Sequence, residues 1–283
     1  GNLNLIKLPH GDRGLTLAAL KLLTQREPRL APWLYAFEVS SKDTGTLERL
    51  AALADGAVTW GGDEAVSALR RLAPPGCKLI EWGHRLSFAY VAGYEDREAE
   101  WSALARHIVR TGGLLCSSCQ VIFLDTDQLE EGEAFCQAFL PLLNRAARER
   151  DRDGAAQAAL YTHTYRLERL AEGAGDRTWF GEGCSLTLKP DRELELSPLY
   201  GNVLVKCLPR RELIPVLRRQ KGRLQTAGLL CRPEEREELT ALLARAGATR
   251  ITRAGEMSRT FPGEAHDGEY SLRRYIRLAD IET

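Results

Sequence analysis

The first part of the chain alternates short apolar runs with stretches of helical spacing, and this pattern restricts the fold more than any other feature. The apolar runs cover residues 3–8, 33–39, 58–60 and 78–81, and the helical stretches cover 15–23, 44–53 and 64–72. Thr44 is predicted to cap the second helix, and Pro74-Pro75-Gly76 ends the third. Repeated strand–helix–strand units predict an α/β fold, with a parallel sheet, right-handed crossovers and helices on both faces.

The pattern changes after residue 94, where the charged stretch 95–98 leads into a predicted helix over 101–111. We place a domain boundary there, giving segments 1–94, 95–265 and 266–283. The further predicted elements are a long helix at 131–150, strands at 203–208 and 227–231, helices at 212–219 and 233–246, and an alternating, edge-like strand at 270–281.

Composition excludes several classes of protein. A chain of 283 residues with 44% hydrophobic content can bury a substantial core. Its 39 basic and 39 acidic residues cancel, so no general field attracts it to nucleic acid or to an anionic membrane. No apolar run approaches the roughly 20 residues of a membrane span, and the start has no signal pattern. The odd number of cysteines, 7, argues against a secreted disulfide framework and favours a reducing, cytoplasmic location.

Cys116 stands in the most informative segment, Leu114-Leu115-Cys116-Ser117-Ser118-Cys119-Gln120, which follows Gly112-Gly113 and precedes an apolar strand. A thiol in such a loop could act as a nucleophile toward an acyl group, although free cysteines often serve as small buried hydrophobes. The C-x-x-C spacing with Cys119 does not indicate zinc, because the other cysteines supply no second close pair. It does not indicate a thioredoxin-like site either, because a strand and not a helix follows.

Glu81 ends the predicted strand 78–81 and is the second candidate for chemistry. If that strand and the strand near Cys116 end at the same edge of an α/β sheet, carboxylate and thiol can meet in a crevice at the carboxyl edge. An ordinary strand-end carboxylate is the alternative. His84, Arg85 and Ser87 follow directly and are interpreted as polar loop residues.

These segments, in this order, resemble the aldehyde dehydrogenase superfamily and, within it, the LuxC-type fatty acyl-CoA reductases. Residues 1–9 resemble the second strand of the cofactor domain, with Lys7 facing the adenosine ribose, and 58–66 resembles the strand–turn–helix beside the nicotinamide. Glu81 matches the strand-end glutamate, Cys116 matches the nucleophile, and 197–203 matches an E-x-F-G-P-like segment. The Cys-Ser-Ser-x-Gln wording and His266-Asp267-Gly268 favour the LuxC branch.

The chain also departs from the family pattern. The family has a preceding region with a first cofactor-domain strand and an asparagine that helps to hold the oxyanion, so the resemblance implies a partial cofactor domain here. Pro198 stands in place of a ribose-binding glutamate, and Cys119 in place of proline. Cys119 could form a reversible disulfide with Cys116 under mild oxidation, or it could be an apolar filler of the core.

The resemblance also implies cofactor-binding residues. Gly61 and Gly62 would approach the cofactor, although Gly-Gly before a helix is common. His10 and Arg13 would lie near the adenosine ribose, where a positive pair suits the 2′-phosphate of NADPH; a solvated turn is the alternative. No metal site is expected. His266 beside Asp267 does not indicate a hydrolase, because the chain has no serine in a nucleophile-elbow context.

By this resemblance the chain is expected to be an NADPH-dependent acyl-thioester reductase. Cys116 would take the acyl group from an acyl-CoA or an acyl carrier, hydride would reduce it to an aldehyde, and Glu81 would exchange protons. The expected partners are the acyl thioester, further copies of the chain in a homo-oligomer, and acyl-transferring proteins. The resemblance implies that the edge strand at 270–281 joins a neighbouring subunit. The alternatives are an aldehyde dehydrogenase that oxidises aldehydes, in which Glu81 activates water, and a non-catalytic NADP-binding or assembly subunit.

Overall fold

The computed structural model describes residues 2–172 and 176–282, which belong to two compact units, Gly1–Gly83 and His84–Thr283. The division falls at Gly83 and not at residue 94, where the sequence suggested it. The reason is the strand Leu86–Val91, which the sequence analysis did not identify and which pairs within the sheet of the second unit.

The first unit contains the predicted alternation of strands and helices. Its elements are β1 (Asn4–Lys7), α1 (Leu15–Arg26), β2 (Leu34–Phe37), α2 (Thr44–Ala52), β3 (Gly56–Trp60), α3 (Asp63–Leu72) and β4 (Lys78–Trp82). All described strand pairs here are parallel, as predicted. They form two separate two-stranded sheets, β1 with β2 and β3 with β4, in place of one continuous sheet.

Side chains that accept hydrogen bonds from backbone amides lie at the start of α1 and of α2. The Asp12 carboxylate accepts from the amides of Gly14 (2.9 Å) and Thr16 (3.0 Å) at the start of α1. Asp43, and not Thr44 as predicted, caps α2, because its carboxylate accepts from the Thr46 amide at 3.0 Å.

The second unit is built on a seven-stranded sheet. Its elements are β5 (Leu86–Val91), α4 (Arg97–Thr111), β6 (Cys119–Leu124), α5 (Leu129–Ala147), α6 (Arg152–Glu172), β7 (Arg177–Phe180), β8 (Ser185–Lys189), β9 (Asn202–Cys207), α7 (Leu213–Leu217), β10 (Leu224–Leu230), α8 (Arg236–Ala246), β11 (Arg250–Arg253) and α9 (Ser271–Arg274). The strand order is β11-β10-β5-β6-β9-β8-β7, and each pair is parallel except β7 with β8.

Helices cover both faces of this sheet, which explains why its central strands β5, β6, β9 and β10 are buried at every position. On one face, Phe88 and Phe123 pack edge to face with ring centroids 5.6 Å apart, below α7 and α8. On the other face, Ile122 packs among the buried side chains of α4 and α5. A sheet covered on both faces buries its strands completely, so that side chains near strand ends can be held rigidly.

The C-terminal segment differs from the predicted edge strand at 270–281. Ser271–Arg274 forms the short helix α9, and the described residues 275–282 contain no helix or strand. Arg274 reaches Glu269 (3.4 Å), and Arg273 lies over the Tyr270 ring, contacts that suit a helical turn. Pairing of this segment with a neighbouring subunit stays a prediction. In the part of the chain described, no helix is long and apolar enough to cross a membrane.

Candidate active site

Cys116 lies in a seven-residue loop, 112–118, between α4 and β6. The loop departs from α4 through Gly112 and Gly113, whose φ angles of 58° and 79° lie in the left-handed region that glycine adopts at least cost. A Cβ atom on Gly113 would come within 2.9 Å of Leu199 Cδ2 and 3.0 Å of Ser197 Oγ. The predicted glycine-led loop before a strand is therefore present, and glycine is required by both backbone conformation and packing.

Hydrogen bonds fix the backbone on both sides of the Cys116 thiol. Ser87 Oγ donates to the Cys116 carbonyl oxygen (2.6 Å) and accepts from the Thr226 amide (2.9 Å). The Ser118 amide donates to the Leu115 carbonyl, and the Leu115 amide donates to Ser118 Oγ, both at 2.9 Å. Ser87, which the sequence analysis interpreted as a loop residue, is fully buried on β5 and supports the cysteine loop.

Two more side chains of the Cys-Ser-Ser-x-Gln motif bind neighbouring segments. Ser117 Oγ lies 2.8 Å from Ser258 Oγ. Gln120 donates from Nε2 to the Gly113 carbonyl (2.9 Å), and its Oε1 accepts from both the amide (3.0 Å) and the hydroxyl (2.8 Å) of Ser197. The motif therefore encodes the rigidity of the loop, and it joins the loop to the E-x-F-G-P-like segment that begins at Ser197.

The cysteines of the second unit differ sharply in exposure. Cys116 is exposed, whereas the others, Cys119, Cys136, Cys184, Cys207 and Cys231, are buried. Burial raises the pKa of Cys119 to about 12, and its Sγ donates to the Val121 carbonyl at 3.4 Å. These contacts agree with the apolar-filler interpretation of Cys119, and a thiol in that state is a poor partner for a redox switch.

The position of the loop corrects one expectation. Cys116 precedes β6, so it lies at the amino-terminal edge of the parallel strands of its sheet and not at the carboxyl edge. A residue in the loop that leads into a strand must lie at the strand's amino end. Glu81, in contrast, lies near the carboxyl end of β4 in the first unit, and its convergence with Cys116 stays a prediction.

Glu81 forms a bidentate ion pair with Arg70 of α3. Arg70 donates from Nε to Oε1 (2.6 Å) and from Nη2 to Oε2 (2.7 Å), and this pairing raises the pKa of Arg70. The glutamate side chain is 22% exposed and the arginine side chain 62% exposed. The fork geometry orients the carboxylate, and the exposed arginine can swing away from it.

The predicted cofactor-binding residues lie in two places in the first unit. Lys7 ends β1 and donates to Ser41 Oγ at 3.0 Å, while His10 and Arg13 are exposed in the turn before α1. Gly61 and Gly62 connect β3 to α3; the Gly61 amide donates to the Trp82 carbonyl (3.1 Å). Within the described residues, no group of three or more His, Cys, Asp or Glu could hold a metal ion.

Asp267 of the His266-Asp267-Gly268 turn is a structural anchor. Its carboxylate is only 4% exposed and accepts from Arg85 Nε (2.8 Å) and Gln225 Nε2 (2.6 Å). Arg85 also donates to the Gly222 carbonyl at 2.9 Å. The turn thus holds segments next to β5 and β10. Arg85 is a polar residue of the loop between β4 and β5, as the sequence analysis interpreted it, and its contacts tie that loop to the turn.

His107 is a buried residue of α4 that the sequence analysis did not identify. It is 1% exposed, and neither ring nitrogen has a hydrogen-bond partner among the described residues. Burial lowers the pKa of His107 to about 4; the charge of Arg110 acts in the same direction, and the backbone of Ser117 opposes it. The imidazole is therefore neutral at pH 7, beside the loop that carries Cys116.

Acidification should destabilise the protein through His107. An unfolded histidine binds a proton near pH 6.5 and the folded one only near 4. Stability therefore falls as the pH decreases from 6.5 toward 4, by about 2 kcal/mol between pH 7 and pH 5. His107→Gln should remove this slope in urea unfolding measured across that range. His163→Gln, at an exposed position of α6, is the matched control and should keep the slope of the parent; equal slopes in all three proteins would contradict the assignment.

The sheet of the second unit, its order and the thiol loop define the class: the chain has the fold of the aldehyde dehydrogenases. Among solved structures it is similar to succinic semialdehyde dehydrogenase from Streptococcus pyogenes in complex with NADP+, with a TM-score of 0.68 and 12% identity. That match covers 95% of this chain and 63% of the other.

The sequence comparisons identify the family. The model for acyl-CoA reductase (LuxC) matches residues 1–278, and the chain belongs to this family. Two relatives are the long-chain acyl-protein thioester reductase of Aliivibrio fischeri, 26% identical over 85% of this chain, and long-chain acyl-protein thioester reductase 2 of Photobacterium leiognathi, 24% identical over 86%. The chain spans 50% of the length of each of these curated relatives.

Proposed function

We propose that the protein reduces the acyl group of a fatty acyl thioester to an aldehyde, with NADPH as reductant and Cys116 as the nucleophile. The observation that carries the proposal is that the Cys116 side chain is exposed, whereas the backbone of its loop is held in place by hydrogen bonds to the buried Ser87. Such a thiol can receive an acyl group without reorganising the protein. The names of the relatives support an acyl-protein thioester as the substrate, and the description of the family supports an acyl-CoA.

In this mechanism the Cys116 thiolate attacks the thioester carbonyl and expels the thiolate of coenzyme A or of a carrier. A nicotinamide cofactor, which Lys7, His10, Arg13, Gly61 and Gly62 would hold, would supply the hydride that reduces the acyl carbon. The resulting thiohemiacetal collapses to release the aldehyde and the Cys116 thiol. Each turnover takes up one proton, which ends on the departing thiolate of coenzyme A or the carrier. Glu81 would relay protons to the intermediate and from the Cys116 thiol, after its carboxylate leaves Arg70.

The secondary structure and the exposed side chains of the first unit suit the binding of a nicotinamide dinucleotide. Its strands are parallel and followed by helices, as in dinucleotide-binding domains. The Asp12 carboxylate is turned toward the amides of Gly14 and Thr16, whereas the side chains of His10 and Arg13 face solvent in the same turn. An exposed imidazole and an exposed guanidinium beside an internally satisfied carboxylate suit the 2′-phosphate of NADPH.

Product analysis tests the proposed reaction. The protein is incubated with a fatty acyl-CoA and NADPH, and the aldehyde is trapped and identified by mass spectrometry. We expect aldehyde in proportion to NADPH consumed. If the protein instead converts a fatty aldehyde and NADP+ to the carboxylate and forms no aldehyde from acyl-CoA, it is an oxidising dehydrogenase. Neither product, with nucleotide still bound, would support the non-catalytic subunit. The homo-oligomer, the acyl-transferring partners and the cytoplasmic location stay predictions.

Replacing both His10 and Arg13 with alanine should weaken the binding of NADPH far more than the binding of NADH. Contacts between a cation and a phosphate contribute roughly 1.5–3 kcal/mol each, so the preference should fall at least about tenfold. The measurement is the dissociation constant of each nucleotide by fluorescence titration. Lys21→Ala removes an exposed charge from the neighbouring helix α1 and is the control. An equal loss for both nucleotides would show that the pair does not discriminate between them.

A further inference from the structure

The segment next to the cysteine loop has an unfavourable backbone conformation. Leu199, Tyr200 and Gly201 have φ angles of 67°, 50° and 91°, three successive left-handed residues. Only glycine adopts this region freely, and two side-chain-bearing residues in a row stay there only if their surroundings hold them. Contacts with the rest of the protein must therefore stabilise the conformation of residues 199–201.

Arg150, from the connection between α5 and α6, provides the central contact. Its Nη1 donates to the Gly183 carbonyl and its Nη2 to the Tyr200 carbonyl, both at 2.8 Å. A Cβ on Gly201 would lie only 2.5 Å from Nη2, so the guanidinium occupies the space that glycine leaves. Partial burial lowers the pKa of Arg150, which shows that the charge is held away from water.

Tyr200 also reaches the nucleophile loop, through its backbone amide. The Tyr200 amide donates to the Gly112 carbonyl at 2.7 Å, at the residue where the loop leaves α4. The Leu199 side chain lies directly against Gly113. The backbone of one residue, Tyr200, thus joins a charged side chain to the first residue of the loop that carries Cys116.

We propose that Arg150 is a positioning residue for Cys116, acting through the strained segment 199–201. A guanidinium suits this role because its rigid fork reaches two carbonyl groups of different segments at once, which an ammonium cannot do in the same geometry. The proposal rests on the proposed acyl transfer to Cys116. The test separates acyl transfer to Cys116 from positioning by Arg150, because the parent protein is measured with the same substrate as the variant.

The experiment compares acylation with alkylation of Cys116. Single-turnover acylation by an acyl-CoA needs an oriented thiol, whereas iodoacetamide alkylation needs only an accessible one, so displacement of the loop should slow the first by at least about tenfold and leave the second within about twofold. Both rates are followed on the Cys116 peptide by mass spectrometry in Arg150→Ala. Added guanidinium ion should restore acylation, and ammonium should not. The control Arg148→Met removes a nearby exposed cation that binds Glu182 and should behave as the parent does.

The outcomes distinguish a failure of the proposed function from a failure of the positioning role of Arg150. If the parent is not acylated, the proposed function fails. If the parent is acylated and Arg150→Ala matches it, or if guanidinium has no effect on the impaired variant, the positioning role fails. A parallel loss of acylation and alkylation indicates a merely structural residue and also overturns the role. If Arg150→Ala does not fold, Arg150→Lys replaces it, and acylation at the parent rate would then contradict the proposal.

Discussion

Cys116→Ser should lower acyl-thioester reduction by about a thousandfold or more, because a serine hydroxyl at neutral pH is a far weaker nucleophile than a cysteine thiolate. The rate is measured as aldehyde formed from an acyl-CoA and NADPH. The substitution changes one exposed atom on a loop whose backbone contacts come from Ser87, Leu115 and Ser118, so the fold should persist. Nucleotide binding should be unchanged.

Cys77→Ser is the matched control, because Cys77 is the other cysteine of the chain that is not buried. It should retain the activity of the parent. If Cys116→Ser kept more than about a tenth of that activity, the thiol would not be the group that accepts the acyl chain. Loss of activity in both variants would point to a general effect of thiol removal.

Removing the two carboxylates around Lys206 should destabilise the protein by about 3–5 kcal/mol, because it leaves a buried charge without compensation. The Lys206 side chain is fully buried on β9, and its Nζ donates to Asp191 Oδ1 (2.5 Å), Glu195 Oε1 (2.5 Å) and the Glu193 carbonyl (2.8 Å). The double variant Asp191→Ala/Glu195→Ala should therefore unfold at much lower urea concentration at pH 7.

Acid should act on the same cluster. Partial burial would raise the pKa of Asp191 and Glu195, but their bonds to Lys206 outweigh it and the pKa of each carboxyl is lowered. Their contribution to stability is therefore present above the ordinary carboxyl pKa and is lost as the pH falls through the lowered values.

Lys206→Met is the informative counterpart. It removes the buried charge itself, and the remaining carboxylates are 42% and 39% exposed and can be solvated. Glu195 also keeps its contact with Lys189 at 2.9 Å. We expect this variant to lose less than about 2 kcal/mol. A larger loss in Lys206→Met than in the double carboxylate variant would contradict this account of the cluster.

The elements that the sequence predicted well are those with strong local punctuation. Pro74-Pro75-Gly76 ends α3, and Gly112 ends α4, as the sequence indicated. The strand β5 was missed because the polar residues His84, Arg85 and Ser87 around its start were interpreted as a loop, and a strand buried on both faces has no alternation to correct that interpretation. The polar helix α6 and the short strands β7 and β8 were not predicted either, because their hydrophobic periodicity is weak. Pairing of the first-unit strands into two sheets depends on tertiary contacts that no local pattern contains.

The same distinction holds for the site. The glycine-led loop with Cys116 could be predicted because its glycines and the following strand are contiguous in sequence. The supports of the loop could not, because Thr226, Ser258 and Arg150 come from distant parts of the chain. The carboxyl-edge crevice was expected from a rule for residues that follow strands, and Cys116 precedes one.

Mass spectrometry can show whether Cys116 carries the acyl group. The protein is incubated with a fatty acyl-CoA without NADPH, digested and examined by mass spectrometry. We expect one acyl group on the peptide that contains Cys116, bound as a thioester that hydroxylamine removes. Acylation confined to another cysteine, or no acylation while aldehyde is still formed when NADPH is present, would contradict this role of Cys116.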